Sequence, residues 1–269
     1  MKTAIEIFGR ERALVGMVHL AALPGTPRSH LPVEAIVERA VDEARLLAAA
    51  GFDAIALENM HDVPYLKRAV GPEVVAAMTA VARAVRAAVE LPLGIQVLAG
   101  ANREALAIAL AADCAFVRAE GLLFAAVADE GWMDAEAGEL LRYRRAIGAQ
   151  HVAVLTDVLK KHSAHAVTAD VPLEDQARAA EFFGLDGIIL TGTATGAATD
   201  PDELARCRAA TELPVLCGSG TTPENVGAVL QHAHAAIVGS TYKRDAHWAN
   251  EPDPERARAL VEAARAAHP

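Results

Sequence analysis

Aromatic residues make up only 4% of these 269 positions; the chain holds three cysteines, no apolar run long and uncharged enough to span a bilayer, and no surplus of positive charge. A core short of large rings must be filled by Ala, Val, Leu and Ile. These belong to a hydrophobic share of 53%, which suits close packing of helices on a sheet and speaks against disorder. Cys114, Cys207 and Cys217 are odd in number and share no C-x-x-C spacing, so they read as reduced thiols of the core. A formal net charge of -10 repels phosphate backbones and anionic lipid heads. Nucleic acid and membrane are therefore not expected as partners, and an anionic ligand has to be held locally. The start Met1-Lys2-Thr3-Ala4-Ile5-Glu6 lacks a signal peptide's apolar segment and cleavage site, and a cytoplasmic location is expected.

Cofactor motifs are missing as well. There is no G-x-x-x-x-G-K-[ST], no strand-linked G-x-G-x-x-G, no H-E-x-x-H and no EF-hand loop, so P-loop nucleotide and Rossmann-type NAD binding are not expected. No cofactor and no metal are predicted, although His19, Glu58, Glu120, Asp157 and His162 leave open a divalent ion gathered in three dimensions.

What is present is alternation. Eight short apolar runs are separated by longer helical patterns: Leu14 to Leu20, Ala54 to Glu58, Leu93 to Leu98, Cys114 to Arg118, Val152 to Asp157, Gly187 to Thr191, Val215 to Gly218 and Ala235 to Gly239. Runs that are apolar throughout are those of parallel strands buried on both faces, and the count predicts an α/β fold, one (β/α)8 barrel domain over residues 1–269. A doubly wound open sheet is the alternative. The first long helix shows its buried face in Val33, Ile36, Val37, Ala40, Val41, Ala44 and Leu47. Proline marks helix starts at Gly71-Pro72, Asp200-Pro201, Thr222-Pro223 and Asp253-Pro254, and Asp200 with Glu203 has capping-box spacing. Gly51-Phe52-Asp53-Ala54 resembles Gly184-Leu185-Asp186-Gly187, and Glu90-Leu91-Pro92 resembles Glu212-Leu213-Pro214. Each pair lies four strands apart, which suggests two related half-barrels.

Barrels bind ligands beyond the carboxyl ends of their strands. Two loops of small residues, Gly218-Ser219-Gly220 after the seventh run and Gly239-Ser240 after the eighth, let backbone N–H groups approach an anion, with a helix start beyond each to add positive potential; they predict a phosphate site. Gly192 and Thr193 join that corner from the loop after the sixth run. After the fifth run, Asp157 with Lys161 and His162 concentrates acid, amine and imidazole, and Glu58 ends the second; these four are the catalytic candidates, Asp157 as general acid/base, with a solvated charged loop as the plain alternative for the Asp157 segment and a salt bridge to Arg118 as that for Glu58. His19, Asn59, Gln96, Arg118, Glu120, Thr191 and Thr195 are expected to contact the rest of the substrate. The apolar loop Gly121 to Ala128, in the connection Glu120 to Met133, is expected to be a lid or an oligomer contact.

Gly16-Met17-Val18-His19-Leu20 with Leu23-Pro24-Gly25-Thr26-Pro27-Arg28, Glu58-Asn59 with Asp62-x-Pro64, Asp157-x-x-x-Lys161-His162, Thr191-Gly192-x-x-Thr195-Gly196 and Gly218-Ser219-Gly220 resemble the BtpA/SgcQ family over nearly the whole chain. Asp129-x-Gly131, Leu140-Leu141-Arg142-Tyr143-Arg144, Gly239-Ser240, Lys243 and Asp245 fit the same resemblance, with Ala246 standing where the family usually has glycine. The resemblance implies a barrel enzyme of unsettled chemistry, in a family named for a factor needed for photosystem I accumulation. Two function classes follow: an enzyme binding a phosphorylated sugar or nucleotide-like metabolite, or a non-catalytic assembly or stability factor. Acid, lysine and histidine at strand ends favour the enzyme, with isomerase or lyase chemistry ahead of redox because no redox cofactor motif is present. A homo-oligomer is compatible with either.

Overall fold

The computed structural model describes residues 2–160, 162–192 and 198–268. In chain order its strands are β1 (Ala13–His19), β2 (Ala54–Glu58), β3 (Leu93–Gln96), β4 (Phe116–Ala119), β5 (Ala126–Ala128), β6 (Gly131–Met133), β7 (Ala153–Val158), β8 (Ser163–Ala164), β9 (Gly187–Leu190), β10 (Val215–Cys217) and β11 (Ala235–Val238). Eight of them pair in parallel in the order β1-β2-β3-β4-β7-β9-β10-β11 and close through β11 and β1, the predicted (β/α)8 barrel. The open sheet is thereby excluded.

A short helix α1 (Ala4–Phe8) comes first, and the chain then interleaves α2 (Val33–Ala50), α3 (Pro72–Ala88), α4 (Asn102–Ala111), α5 (Ala137–Ala146), α6 (Leu173–Phe182), α7 (Pro201–Ala210), α8 (Val226–His232) and α9 (Pro254–Ala267) with the strands. On α2 the predicted stripe is the buried one: Ile36, Ala40, Ala44 and Leu47 are buried, with Val33, Val37 and Val41 packed beside them. Proline opens α3, α7 and α9, where a missing N–H costs nothing. Pro223 does not open α8. Asn225 instead accepts from Thr222 N at 2.8 Å and donates to Gly220 O at 2.8 Å, so a turn delays the helix to Val226. The Asp200 cap serves Asp202 N and makes no capping box with Glu203, whereas Thr3 and Glu6 do form one. No helix among the described residues is long and apolar enough to cross a membrane, and all three cysteines are buried and unpaired.

Inside the barrel, alternate strand residues form a separate apolar cluster: Ala13, Val15 and Met17 on β1, Ala54 and Ala56 on β2, Phe116, Leu155, Ile189, Leu216 and Ile237 from the strands beyond. Helix α1 closes the lower end with Ala4, Ile7 and Phe8, and the Phe8 and Phe116 rings meet edge to face at 5.3 Å. A Cβ on Gly94 would lie 2.1 Å from the Phe116 ring, so glycine at that point makes room for the large ring inside the barrel.

Segment 121–133 is more ordered than a loop. β5 and β6 make an antiparallel hairpin, and β8 from the β7 connection pairs with β5. On the opposite side, Glu43 of α2 is buried in the midst of an apolar stripe and accepts from Tyr242 Oη and Lys243 Nζ, each at 2.6 Å, which ties the chain after β11 to α2.

Candidate active site

The alternation that fills the barrel carries one further residue of each strand to its mouth. His19 follows Met17, Glu58 follows Ala56, Gln96 follows Gly94, Arg118 follows Phe116 and Asp157 follows Leu155; Gly218 and Gly239 come next after Leu216 and Ile237. His19, Glu58 and Gln96 are in register across β1, β2 and β3. They floor a cavity of about 310 Å³, walled also by Arg118, Glu120, Lys160 and His162, and by both small-residue loops.

The small-residue wall needs its glycines. A Cβ on Gly218 would come within 2.5 Å of Ile189 Cγ2, and one on Gly239 within 2.9 Å of the His19 imidazole. Gly220 sits at φ +73°, in the left-handed region. Gly192 N donates to Ser219 Oγ at 3.3 Å, which joins the β9 and β10 loops. No described residue accepts from the amide N–H of Gly220 or of Ser240. Of the expected helix starts, α8, seven residues long, follows the first loop, and a three-residue 3₁₀ turn, Arg244–Ala246, stands beyond the second. Ala246 there takes φ +51°, a conformation that suits the glycine usual in the resembled family.

Across the cavity the groups are charged and paired. Arg118 donates to both oxygens of Asp157, at 2.9 Å from Nε and 2.7 Å from Nη2, with the Asp157 side chain fully covered. Burial opposes the Arg118 charge, but the carboxylate more than offsets it and holds the guanidinium well above its ordinary range. Asp157 is not among the residues lining this cavity, and its carboxylate is engaged by Arg118. Glu120 accepts from Gln96 Nε2 at 3.0 Å and from Lys160 Nζ at 3.1 Å. Burial raises the Glu120 pKa, while Lys160 and Arg118 pull it back. Lys160 loses to burial and gains more from Glu120, which leaves it raised and cationic.

His19 is set differently. Its Nδ1 lies 3.1 Å from Trp248 O, and a carbonyl can only accept, so Nδ1 carries the hydrogen. Burial, with help from nearby Lys243, pushes its pKa down to about 4. The ring is therefore neutral near pH 7, and its bare Nε2 faces Glu58 Oε2 at 3.4 Å. One proton satisfies that contact.

Of the residues expected from sequence, His19, Glu58, Gln96, Arg118, Glu120, His162, Gly218, Ser219, Gly220, Gly239 and Ser240 line this cavity. Asn59 does not, because its amide is spent on Asp62 Oδ2 at 2.9 Å and Leu98 N at 2.7 Å, where it fixes the loop after β2. Thr191 and Gly192 are buried behind the wall. Lys161, Thr193 and Thr195 lie outside the described residues. Lys160, which stands between Asp157 and Lys161 in the basic run after the fifth strand of the barrel, also lines the cavity, as does Trp248, which nothing local marks. No cluster of three or more metal-ligating side chains occurs among the described residues.

A structure of (S)-3-O-geranylgeranylglyceryl phosphate synthase from Thermoplasma acidophilum, in complex with sn-glycerol-1-phosphate, superposes with a TM-score of 0.60 over 99% of this chain and 100% of its own; at 17% identity the likeness is one of fold. A Caenorhabditis elegans protein whose name carries the word mitochondrial is 43% identical, covering 93% of this chain and 92% of its own. The Photosystem I biogenesis protein BtpA of Synechocystis is 38% identical over 96% of this chain and 90% of its own. With the BtpA family model matching residues 10–266 as well, the chain belongs to the BtpA family.

Proposed function

We propose that this chain is an enzyme that binds a phosphorylated small molecule and moves a proton on it, as an isomerase or lyase does. The observation that carries the proposal is the division of one cavity into a small-residue wall with two amide groups lacking acceptors, Gly220 and Ser240, and a facing set of charged side chains. Backbone N–H groups that approach closely suit a phosphate. The phosphorylated ligand of the Thermoplasma enzyme, on the same fold, supports that assignment.

The remaining groups divide by chemistry. Glu58 and His19 Nε2 share a proton site and are the acid/base pair, in place of Asp157. Arg118 and Lys160, both held cationic, stabilise negative charge that develops on the substrate. An amine kept protonated by Glu120 is poorly suited to Schiff-base formation, so electrostatic assistance outranks covalent catalysis. Glu120 itself holds Lys160 and Gln96 in place.

Thermal unfolding with inorganic phosphate tests the wall. Stabilisation of about 1.4 kcal/mol is expected at ten times the dissociation constant, and Gly220→Asp, which sets a carboxylate against the anion, should abolish it while leaving the unliganded protein folded. No stabilisation of the wild type by phosphate or any sugar phosphate would end the proposal. The name of the Synechocystis relative favours a second function, as an assembly factor. Against it, the nematode relative is the more similar of the two and its name carries no such role.

A further inference from the structure

A second cavity, of about 440 Å³, lies between the loop after β1, the side of α2 and the segment 243–252, and His19 belongs to its wall as well as to that of the first. Lys243 and Glu43 both line it as a buried ion pair: Nζ donates to Oε1 at 2.6 Å, with 3% and 10% of the two side chains exposed. The same oxygen accepts from Tyr242 Oη, so the carboxylate is both neutralised and bonded. The ammonium rests 5.4 Å from the Tyr242 ring centre, and of its three N–H groups one has an acceptor among the described residues. Buried donors are costly to leave unmet, and in native proteins water or a ligand meets them.

The surrounding charge favours an anionic ligand. Arg28 from the loop after β1 and Arg39 on α2, one turn before Glu43, line the same cavity, and neither has a carboxylate partner among the described residues. Three carboxylates line it too. Glu43 is matched by Lys243, and Asp42 stands 3.9 Å from Arg45. Glu251 alone is unmatched, against two guanidinium groups. His61, half-buried in the same wall, senses this balance: besides burial, the charges acting on its pKa are those of Lys243 and Arg28, and both lower it. An oxyanion answers every one of these groups, because ammonium and guanidinium donate to phosphate and carboxylate oxygens, a guanidinium two bonds at a time. The volume lies within the range of small-ligand sites.

We infer that this second cavity is an oxyanion site, in which Lys243, Arg28 and Arg39 hold the phosphate or carboxylate group of a small ligand other than the one at the small-residue wall. It stands independently of that wall, and the test keeps the two apart. Histidine NMR on the full chain, at constant ionic strength, follows His61 through titration with inorganic phosphate and with succinate, its signals being assigned by their loss in His61→Gln. Those signals should shift to saturation, and the anion that saturates them at the lower concentration tells phosphate from carboxylate. Gly220→Asp, which closes the small-residue wall, should leave the titration unchanged. The double variant Arg28→Gln with Arg39→Gln alters two exposed side chains outside the core, and its dissociation constant should rise about tenfold or more, the scale for losing charge-assisted hydrogen bonds. A His61 signal that responds to neither anion would overturn the inference, as would an unchanged dissociation constant in the double variant. Loss of the response in Gly220→Asp would overturn it as well, by tracing the shift to the wall.

Discussion

One guanidinium takes both oxygens of one carboxylate at the mouth of the barrel: Arg118 and Asp157, 39 residues apart, form a two-point pair with side-chain exposures of 6% and 0%. A bidentate pair aims as well as neutralises, because the planar fork of arginine has one favourable orientation against a carboxylate. Arg118 is thereby held with its remaining edge at the cavity wall.

Removing one partner of such a pair leaves the other charged and buried. Asp157→Asn is expected to cost about 3 kcal/mol of stability, and Arg118→Met a similar amount, while the double variant Arg118→Met with Asp157→Leu should cost less than the sum of the single changes. Urea unfolding of the three variants measures this. If Asp157→Asn unfolds at the wild-type midpoint yet loses turnover of an identified substrate, Asp157 is a base and not an anchor.

The position of these residues could be read from the chain, but their partnership could not. Period-two alternation through an apolar run that ends in one polar residue places that residue at the carboxyl end of a buried strand, which is how His19, Glu58, Gln96, Arg118 and Asp157 declare themselves. Whether Asp157 stands free or faces Arg118 depends on side chains of neighbouring strands, β4 and β7, set by a register that neither strand encodes alone. Asn59 misleads for a related reason: it follows Glu58 directly, but the next residue after a strand turns elsewhere, here to Asp62 and Leu98. The hairpin at 126–133 was hidden because strands of three residues are too short for a period to show. Trp248 comes to the site through a long loop, whose path is fixed by the buried Glu43–Lys243 contact.

Neutral His19 has a consequence for stability. In the unfolded chain its imidazole takes a proton near pH 6.5, whereas in the folded protein it waits until about 4. Between those values protons bind the unfolded state preferentially, so this residue makes stability rise with pH across the window and contributes no slope above it. His61 and His234, also lowered by burial, act in the same direction. Asp62, Glu120 and Glu136, raised by burial, act in the opposite one, since the folded state keeps their protons longer. A difference measurement isolates His19. Relative to wild type, His19→Gln should flatten the rise between pH 4 and 6.5 by about 1.4 kcal/mol per unit at most, or on the order of 3 kcal/mol over the window. Parallel stability curves for the two proteins would show that the imidazole takes its proton at the same pH in the folded and unfolded states.

The hairpin over the cavity offers the last test. Asp129 and Glu130 at its tip line the cavity, while Val127 and Trp132 on its strands are about half exposed, at 44% and 45%. Its anchors are at the base, where Arg68 pairs with Glu136 at 2.6 Å and donates to Gly121 O at 3.0 Å. Its outer edge is joined to β8, which begins three residues after Lys160. A ligand held by Lys160 therefore restrains β8, and through β8 the hairpin, as a lid would be restrained. Hydrogen exchange of the amides of residues 126–133 should slow by about tenfold when a sugar phosphate that stabilises the protein is present at ten times its dissociation constant, because exchange from the open form is then suppressed in proportion to occupancy. The same half-exposed apolar residues would also suit a contact between subunits. That arrangement predicts protection that follows protein concentration and ignores the ligand, and finding it would reject the lid.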